Sequence, residues 1–270
     1  MDVTSEFAEI CEKAARAAGR MLLERLGQVS FREKGPADLV SEADLASQEL
    51  IRQTILGVFP QHALLGEEET SAASGPAAQS EYRWIVDPLD GTTNYVHQVP
   101  HFSVSVALER SGELLVGAVY HPVAEECFTA ARGEGAYLNG KRLRASNVTT
   151  LADALVAIGF PPVVGPDAPD LRTFVEVVQA CQAIRRMGSA ALNLAYVAAG
   201  RFDACWSFST KVWDVAAGVL LIREAGGVVT APDGRPFTLD FGRFLAAANV
   251  PLHRHMRSLM AKAAARPARR

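Results

Sequence analysis

Trp84-Ile85-Val86-Asp87-Pro88-Leu89-Asp90-Gly91-Thr92-Thr93-Asn94 carries more information than any other stretch of this chain. Its apolar opening reads as the end of a buried strand, which delivers Asp87 and Asp90 into a turn. The Gly91-Thr92-Thr93 step that follows is a place where a helix can begin. Carboxylates at a strand end suit hard cations such as Mg²⁺, which take oxygen ligands. Free N–H groups at a helix start suit phosphate. Together they point to metal-assisted chemistry on a phosphate ester. Asp87 and Asp90 are the first candidate ligands, and Pro88, which has no N–H, leaves the Leu89 carbonyl as a third oxygen.

Two other readings compete. Asp-Pro-x-Asp-Gly is also good turn chemistry, because Pro presets φ, Asp bonds nearby backbone and Gly takes positive φ. A haloacid dehalogenase-type phosphatase needs an aspartate two positions before Asp90; Pro88 stands there, which argues against that class.

Bulk properties set the frame. A chain of 270 residues with 49% hydrophobic content has ample core material for one large domain or two without a visible linker. The formal net charge of −3 gives no electrostatic footprint for a nucleic-acid polymer. The basic end, residues 266–270, reads as a frayed tail. Cys11, Cys127, Cys181 and Cys205 lack CxxC spacing and read as free thiols of a reducing compartment, hence a cytoplasmic protein. No apolar run reaches the ~20 residues that span a bilayer, and no leader-like apolar core is visible.

Helical spacing over residues 3–26 predicts a first helix, stopped by Gly27. Ser41-Glu42-Ala43-Asp44 opens a second, through about Val58. Residues 71–80 read as a mobile surface loop, and Lys34-Gly35-Pro36 as a turn or hinge. Runs at 102–108, 114–121, 126–131 and 136–138, punctuated by Ser111-Gly112 and Asn139-Gly140, predict an antiparallel sheet. Beyond it, helices over 171–183, 190–199, 215–224 and 251–264 alternate with strands at 155–158, 202–206, 227–230 and 244–248. That is α+β or layered α/β architecture.

At this point the chain resembles a known family. Asp87-Pro88-Leu89-Asp90-Gly91-Thr92-Thr93 is similar to the first signature of the inositol monophosphatase family. Lys211-Val212-Trp213-Asp214-Val215-Ala216-Ala217-Gly218, running on to Glu224-Ala225-Gly226-Gly227, resembles the second, and Gly66-Glu67-Glu68 a further element. The resemblance implies one sugar-phosphatase domain over residues 1–270, with alternating α-β-α-β-α layers. Its N-terminal part, about 1–145, would carry the antiparallel sheet and first metal motif; its C-terminal part, about 146–265, would carry the second.

The resemblance also implies roles. Glu67, Asp87, the Leu89 carbonyl, Asp90 and Asp214 would hold two to three Mg²⁺ ions. Asp44 paired with Thr92, together with Glu67, would orient the attacking water. Asp90, Gly91, Thr92, Thr93, Gly188, Ser189, Ala190, Ser207 and Asp214 would bind the substrate. Lithium inhibition and a homodimer follow from the same likeness. Structural readings stand beside several of these. Glu67-Glu68-Glu69 is a charge run of the kind usually solvated, Asp214 can cap a helix, Ser189 is an ordinary N-cap, and Ser41-x-x-Asp44 resembles a capping box.

Ser207 departs from the pattern, standing where the family's inositol phosphatases carry a glutamate that contacts ring hydroxyls. Inositol 1-phosphate or a related polyol or sugar phosphate is the default substrate. Fructose 1,6-bisphosphate, a nucleotide 3′-phosphate and histidinol phosphate are alternatives, and a non-catalytic binding or regulatory protein is a further one. Lys211 adds positive charge beside this region.

Overall fold

The computed structural model describes residues 3–28, 30–35, 38–68, 80–240 and 242–265. The loop read at 71–80, apart from its last residue, and the tail at 266–270 lie outside the described residues, as does Pro36 of the turn read at Lys34-Gly35-Pro36. Lys34 and Gly35 end a strand instead of opening a turn. The helical spacing near the N-terminus forms α1 (Val3–Arg25). A short antiparallel ribbon, β1 (Phe31–Gly35) and β2 (Asp38–Ser41), leads into α2 (Glu42–Leu56). The capping box is present there: the Ser41 side chain accepts from the Ala43 N–H at 3.2 Å, and the Ser41 N–H donates to Asp44 Oδ2 at 2.8 Å.

A seven-stranded sheet follows, in the order β3-β4-β5-β6-β7-β8-β9. Its strands are β3 (Ala63–Gly66), β4 (Tyr82–Asp90), β5 (Ser103–Arg110), β6 (Glu113–His121), β7 (Glu126–Ala131), β8 (Gly135–Leu138) and β9 (Lys141–Arg142). All neighbours pair antiparallel except β3 and β4. Both residues of Ser111-Gly112 and of Asn139-Gly140 have positive φ, as tight hairpin turns of right-handed twist require. The five-residue helix α3 (Thr92–Val96) sits between β4 and β5.

The second half contributes β10 (Leu155–Ile158), α4 (Pro169–Val178), β11 (Ala183–Arg185), α5 (Ala190–Ala198), β12 (Ala204–Ser207), α6 (Val212–Glu224), β13 (Val228–Thr230), β14 (Phe244–Ala247) and α7 (Val250–Ala265). Its five strands are ordered β11-β10-β12-β14-β13, with parallel and antiparallel neighbours mixed. The predicted helix over 171–183 ends early, at Val178, because Ala183–Arg185 pair in parallel with Leu155–Ala157. A strand of three residues is too short to show a period, so it is not legible from the residues alone.

Burial patterns place the layers. Along β4, Trp84 and Val86 face α1 and α2, while Ile85 faces α5 and α6. Period-two alternation thus sends one strand into two cores. Helices α5 and α6 fill the space between the sheets, and α4 and α7 cover the far face of the smaller sheet beside Leu245, Ala247 and Trp206. The order is α-β-α-β-α. Small residues make the middle layer thin: a Cβ on Gly218 of α6 would lie 2.4 Å from the Leu194 Cβ of α5. Gly218→Val is therefore expected to cost about 1–3 kcal/mol through overpacking, measured by urea unfolding. Unchanged stability would mean that α5 and α6 separate freely.

Candidate active site

Strand β4 does not stop at Val86, as its polar tail suggested; it runs through Asp90. Asp87 pairs with Ser105 and Asp90 with Ser103, so the strand carries one extra residue between them. This is a β-bulge, and it explains how Pro88 is tolerated inside a sheet: the bulge removes the ladder position where an N–H is needed. Ser47 of α2 donates to the Pro88 carbonyl at 2.7 Å, and the Leu89 N–H donates to Asp87 Oδ1 at 3.0 Å, which fixes the bulge. Asp87 and Asp90 are thereby held in one pocket, both buried.

Strand β3 brings the third carboxylate. Gly66 is in register with Val86, and the Glu67 N–H donates to the Val86 carbonyl at 3.2 Å, so Glu67 arrives beside Asp87. Asp214 comes from the first turn of α6, where its Oδ2 accepts the Lys211 N–H at 2.8 Å. It caps the helix and faces the pocket as well, so the structural and functional readings hold together.

A cavity of about 360 Å³ is lined by Glu67, Asp87, Leu89, Asp90, Gly91, Thr92, Thr93, Gly188, Ser189, Ala190, Ser207 and Asp214. Every site residue expected from the sequence lines it except Asp44, which lies one layer behind. Asp44 is fully buried; its Oδ2 accepts from Ser41 N and Oγ, and its Oδ1 accepts from Thr92 Oγ1 at 3.1 Å. Thr92 Oγ1 is also 3.1 Å from the Leu89 carbonyl. A hydroxyl has one proton. When Asp44 takes it, the Leu89 oxygen and a Thr92 lone pair are left facing the cavity.

Burial, followed by the charges of Glu67, Asp90 and Asp214, pushes the Asp87 carboxyl well above its ordinary range. Asp214 is raised by burial and then by the charge of Asp90, opposed by the Lys211 N–H that it accepts. Asp90 is raised by burial, opposed by four donors: Ser189 Oγ, Ala191 N, Ala190 N and Ser103 Oγ. The donor set is all oxygen and strongly acidic, which is what a hard divalent cation takes. Among the described residues, no three His, Cys, Asp or Glu side chains are drawn together as a closed cage. The fit lies in donor chemistry and in mutual repulsion, which a cation would relieve.

Gly91 holds φ at +100°, and a Cβ there would come within 3.2 Å of the Gly188 carbonyl, so the bulge and the start of α5 meet only through glycine. Asn94 Nδ2 donates to His101 O at 2.7 Å and Met187 O at 2.8 Å, tying α3 to the same corner.

Several lining residues were not singled out from the sequence: Arg186, Asn193, Ser209, Thr210 and the wall Phe160-Pro161-Pro162. None belongs to a chemical motif, and they meet only through tertiary packing. Lys211, expected to charge the site, is exposed and does not line the cavity; among the described lining residues Arg186 supplies the positive charge. The Lys34 side chain lies outside the described residues. Ser207 is buried, and its Oγ accepts the Ser209 N–H at 3.2 Å, leaving a neutral hydroxyl floor.

Residues 3–267 match the inositol monophosphatase family. An inositol-1-monophosphatase of Rhizobium meliloti is 44% identical over 242 residues, covering 88% of this chain and 90% of that protein. A protein of Pseudomonas aeruginosa named Nus factor SuhB is 44% identical over 243 residues, with 88% and 89% covered. The crystal structure of extragenic suppressor protein suhB from Bartonella henselae superposes with a TM-score of 0.89 at 38% identity, covering 94% of this chain and 98% of that one.

Proposed function

Since the chain belongs to the inositol monophosphatase family, we propose that it is a Mg²⁺-dependent enzyme hydrolysing inositol 1-phosphate or a related polyol or sugar phosphate. Phosphomonoesterase activity follows from the family, as does dependence on a divalent metal. The observation that carries the finer reading is the convergence of Glu67, Asp87, Asp90 and Asp214 on one cavity beside the buried Asp44–Thr92 pair.

Bound Mg²⁺, two to three ions held by Glu67, Asp87, the Leu89 carbonyl, Asp90 and Asp214, would supply the charge that acidifies water and neutralises the departing oxygen. Thr92 Oγ1 accepts a proton from the attacking water while donating its own to Asp44 Oδ1, and Glu67 fixes the second water proton. The N–H groups of Gly91, Thr92 and Thr93 orient the phosphate. Gly188, Ser189 and Ala190 at the start of α5, with Ser207, border the alcohol. The carboxylates are committed to cations, so no phosphoenzyme forms and water attacks phosphorus directly.

Phosphate release should be measured with and without EDTA and lithium on inositol 1-phosphate, fructose 1,6-bisphosphate, adenosine 3′,5′-bisphosphate, histidinol phosphate and glycerol 2-phosphate. Turnover of one compound, lost with EDTA, supports the proposal. A binding role is the second reading, favoured by the name of the Pseudomonas relative; folded protein that binds Mg²⁺ yet hydrolyses nothing on the panel would point to that role or to a substrate outside the panel.

Two substitutions probe the parts. Asp44→Asn and Thr92→Val are each expected to lower kcat by about 10²–10⁴-fold with little change in KM, as loss of a proton relay does; a change confined to KM would remove both residues from the water-activating step. Ser207→Glu restores a charged acceptor for vicinal hydroxyls. At 1.4 kcal/mol or more for such a bond, KM for inositol 1-phosphate is expected to fall by about tenfold. An unchanged KM would place the polyol ring elsewhere.

The four free cysteines, three of them buried, fit a reducing, cytoplasmic setting. Among the described residues no helix is long and apolar enough to cross a membrane. A homodimer remains part of the proposal, tested by sedimentation.

A further inference from the structure

A second cavity, of about 700 Å³, opens between α4, α7 and the connection from β13 to β14. Four arginines line it: Arg172 from α4, Arg235 and Arg243 from the connection, and Arg257 from α7. Asp233 is the one carboxylate among the described lining residues, against these four arginines. Asp233 is bound to Arg235 at 2.6 Å, Glu176 to Lys262 at 2.6 Å, and Asp170 Oδ1 accepts the Phe208 N–H at 3.2 Å. Among the described residues Arg172, Arg243 and Arg257 form no salt bridge. The Arg172 Nε–H is buried without a hydrogen-bond partner. Arg257 lies flat on the turn at Gly234, where a Cβ would come within 2.4 Å of its Cζ, so its place at the rim is set by the fold.

The same cavity has an apolar lining too: Phe208 is half-buried, and Met260 and Ala263 are buried. Thr173 and Thr238 add hydroxyls. Guanidinium groups bind phosphate through paired N–H donors and also stack on flat rings. A ligand for this site therefore needs several anionic oxygens at one end and a flat, weakly polar body at the other. We propose that the cavity binds a nucleoside di- or triphosphate, with its phosphates on Arg172, Arg243 and Arg257 and its base over Phe208 and Met260. The cavity has no free carboxylate cluster, so the site binds without hydrolysing. It stands back to back with the first cavity: Phe208 faces this one, whereas its neighbours Ser207 and Ser209 line the other.

The test is a calorimetric titration of EDTA-treated protein with ATP, ADP, adenosine and inorganic pyrophosphate. ATP and ADP are expected to bind at least about tenfold more tightly than adenosine or pyrophosphate. The double variant Arg172→Gln/Arg257→Gln is expected to weaken ATP by a further tenfold or more while its turnover on the phosphatase panel matches the parent. Ala261→Trp, on the exposed face of α7, closes the mouth without removing charge and is expected to do the same if the double variant does not fold. Absence of ATP binding, pyrophosphate binding as tightly as ATP, or ATP affinity unchanged in the folded variants would overturn the proposal. Self-association that occludes the cleft would also overturn it, making a second copy the occupant. Protein that bound ATP but released no phosphate from the panel would leave this inference standing and remove the phosphatase reading.

Discussion

Replacing Asp87 by Asn is expected to abolish turnover and, in the same protein stripped of metal, to raise the melting temperature. The two effects have one cause. Asp87 is buried among Glu67, Asp90 and Asp214, and each of these charges opposes its ionisation after burial has already done so. Without a cation the cluster is a source of repulsion. The amide removes one charge from the centre at almost unchanged volume, and its oxygen can still accept the Leu89 N–H. A cation that loses a central ligand forfeits several kcal/mol of transition-state stabilisation, so kcat/KM is expected to fall by about 10³-fold or more.

The pH dependence has a definite sign. In the folded state Asp87 keeps its proton to higher pH than an ordinary aspartate, whose pKa is about 3.9. Its contribution to stability is therefore complete below that pH and is lost as pH rises through the raised folded value. Metal-free wild type should lose stability from acid towards neutral pH more steeply than Asp87→Asn, and added Mg²⁺ should restore wild type alone by binding the folded state. Calorimetric scans in EDTA at mildly acidic and at neutral pH measure this. Equal melting temperatures for the two proteins at neutral pH would show that the cluster stores no such repulsion.

What could be read from the sequence follows from where each signal resides. The strands β5 to β8 were legible because alternation and tight-turn residues such as Asn139-Gly140 are local properties, and their predicted bounds lie close to those observed. The carboxylate motif at Asp87 and Asp90 was legible because its oxygen donors are unusual residues in an apolar setting. The bulge at Pro88 was hidden, since a turn and a bulge place the same residue types in the same order. Strand β11 was hidden because three residues carry no period, and its partner Leu155–Ala157 is remote in sequence. The far wall of the cavity, Arg186 and Phe160-Pro161-Pro162, is assembled by tertiary packing from segments that are unremarkable one at a time. The arginine cleft was invisible for the same reason: Arg172, Arg243 and Arg257 form no run or motif along the chain.

Asp90→Asn distinguishes the second carboxylate of the motif from the first. Activity is expected to disappear here too, but metal-free stability should fall instead of rising. Both oxygens of Asp90 are engaged at the start of α5: Oδ1 accepts the Ala190 N–H at 3.1 Å, Oδ2 accepts the Ala191 N–H at 2.7 Å, and Ser189 Oγ donates to Oδ2 while accepting the Leu192 N–H at 3.2 Å. The residue thus caps a helix to which it does not belong and joins β4 to α5. A negative charge there is also favoured by the helix dipole. Burial raises its pKa in spite of these donors, yet removing the charge does not remove the donors. An amide would turn an NH₂ group towards one set of them, leaving buried N–H groups without acceptors at a cost of about 1–3 kcal/mol. For Asp87, which accepts one backbone N–H, relief of repulsion dominates; for Asp90, loss of acceptors does. Urea unfolding of the two EDTA-treated variants should therefore move in opposite directions from wild type. If Asp90→Asn were stabilised like Asp87→Asn, the anchoring of α5 by this carboxylate would be wrong, and the residue would act through its charge alone.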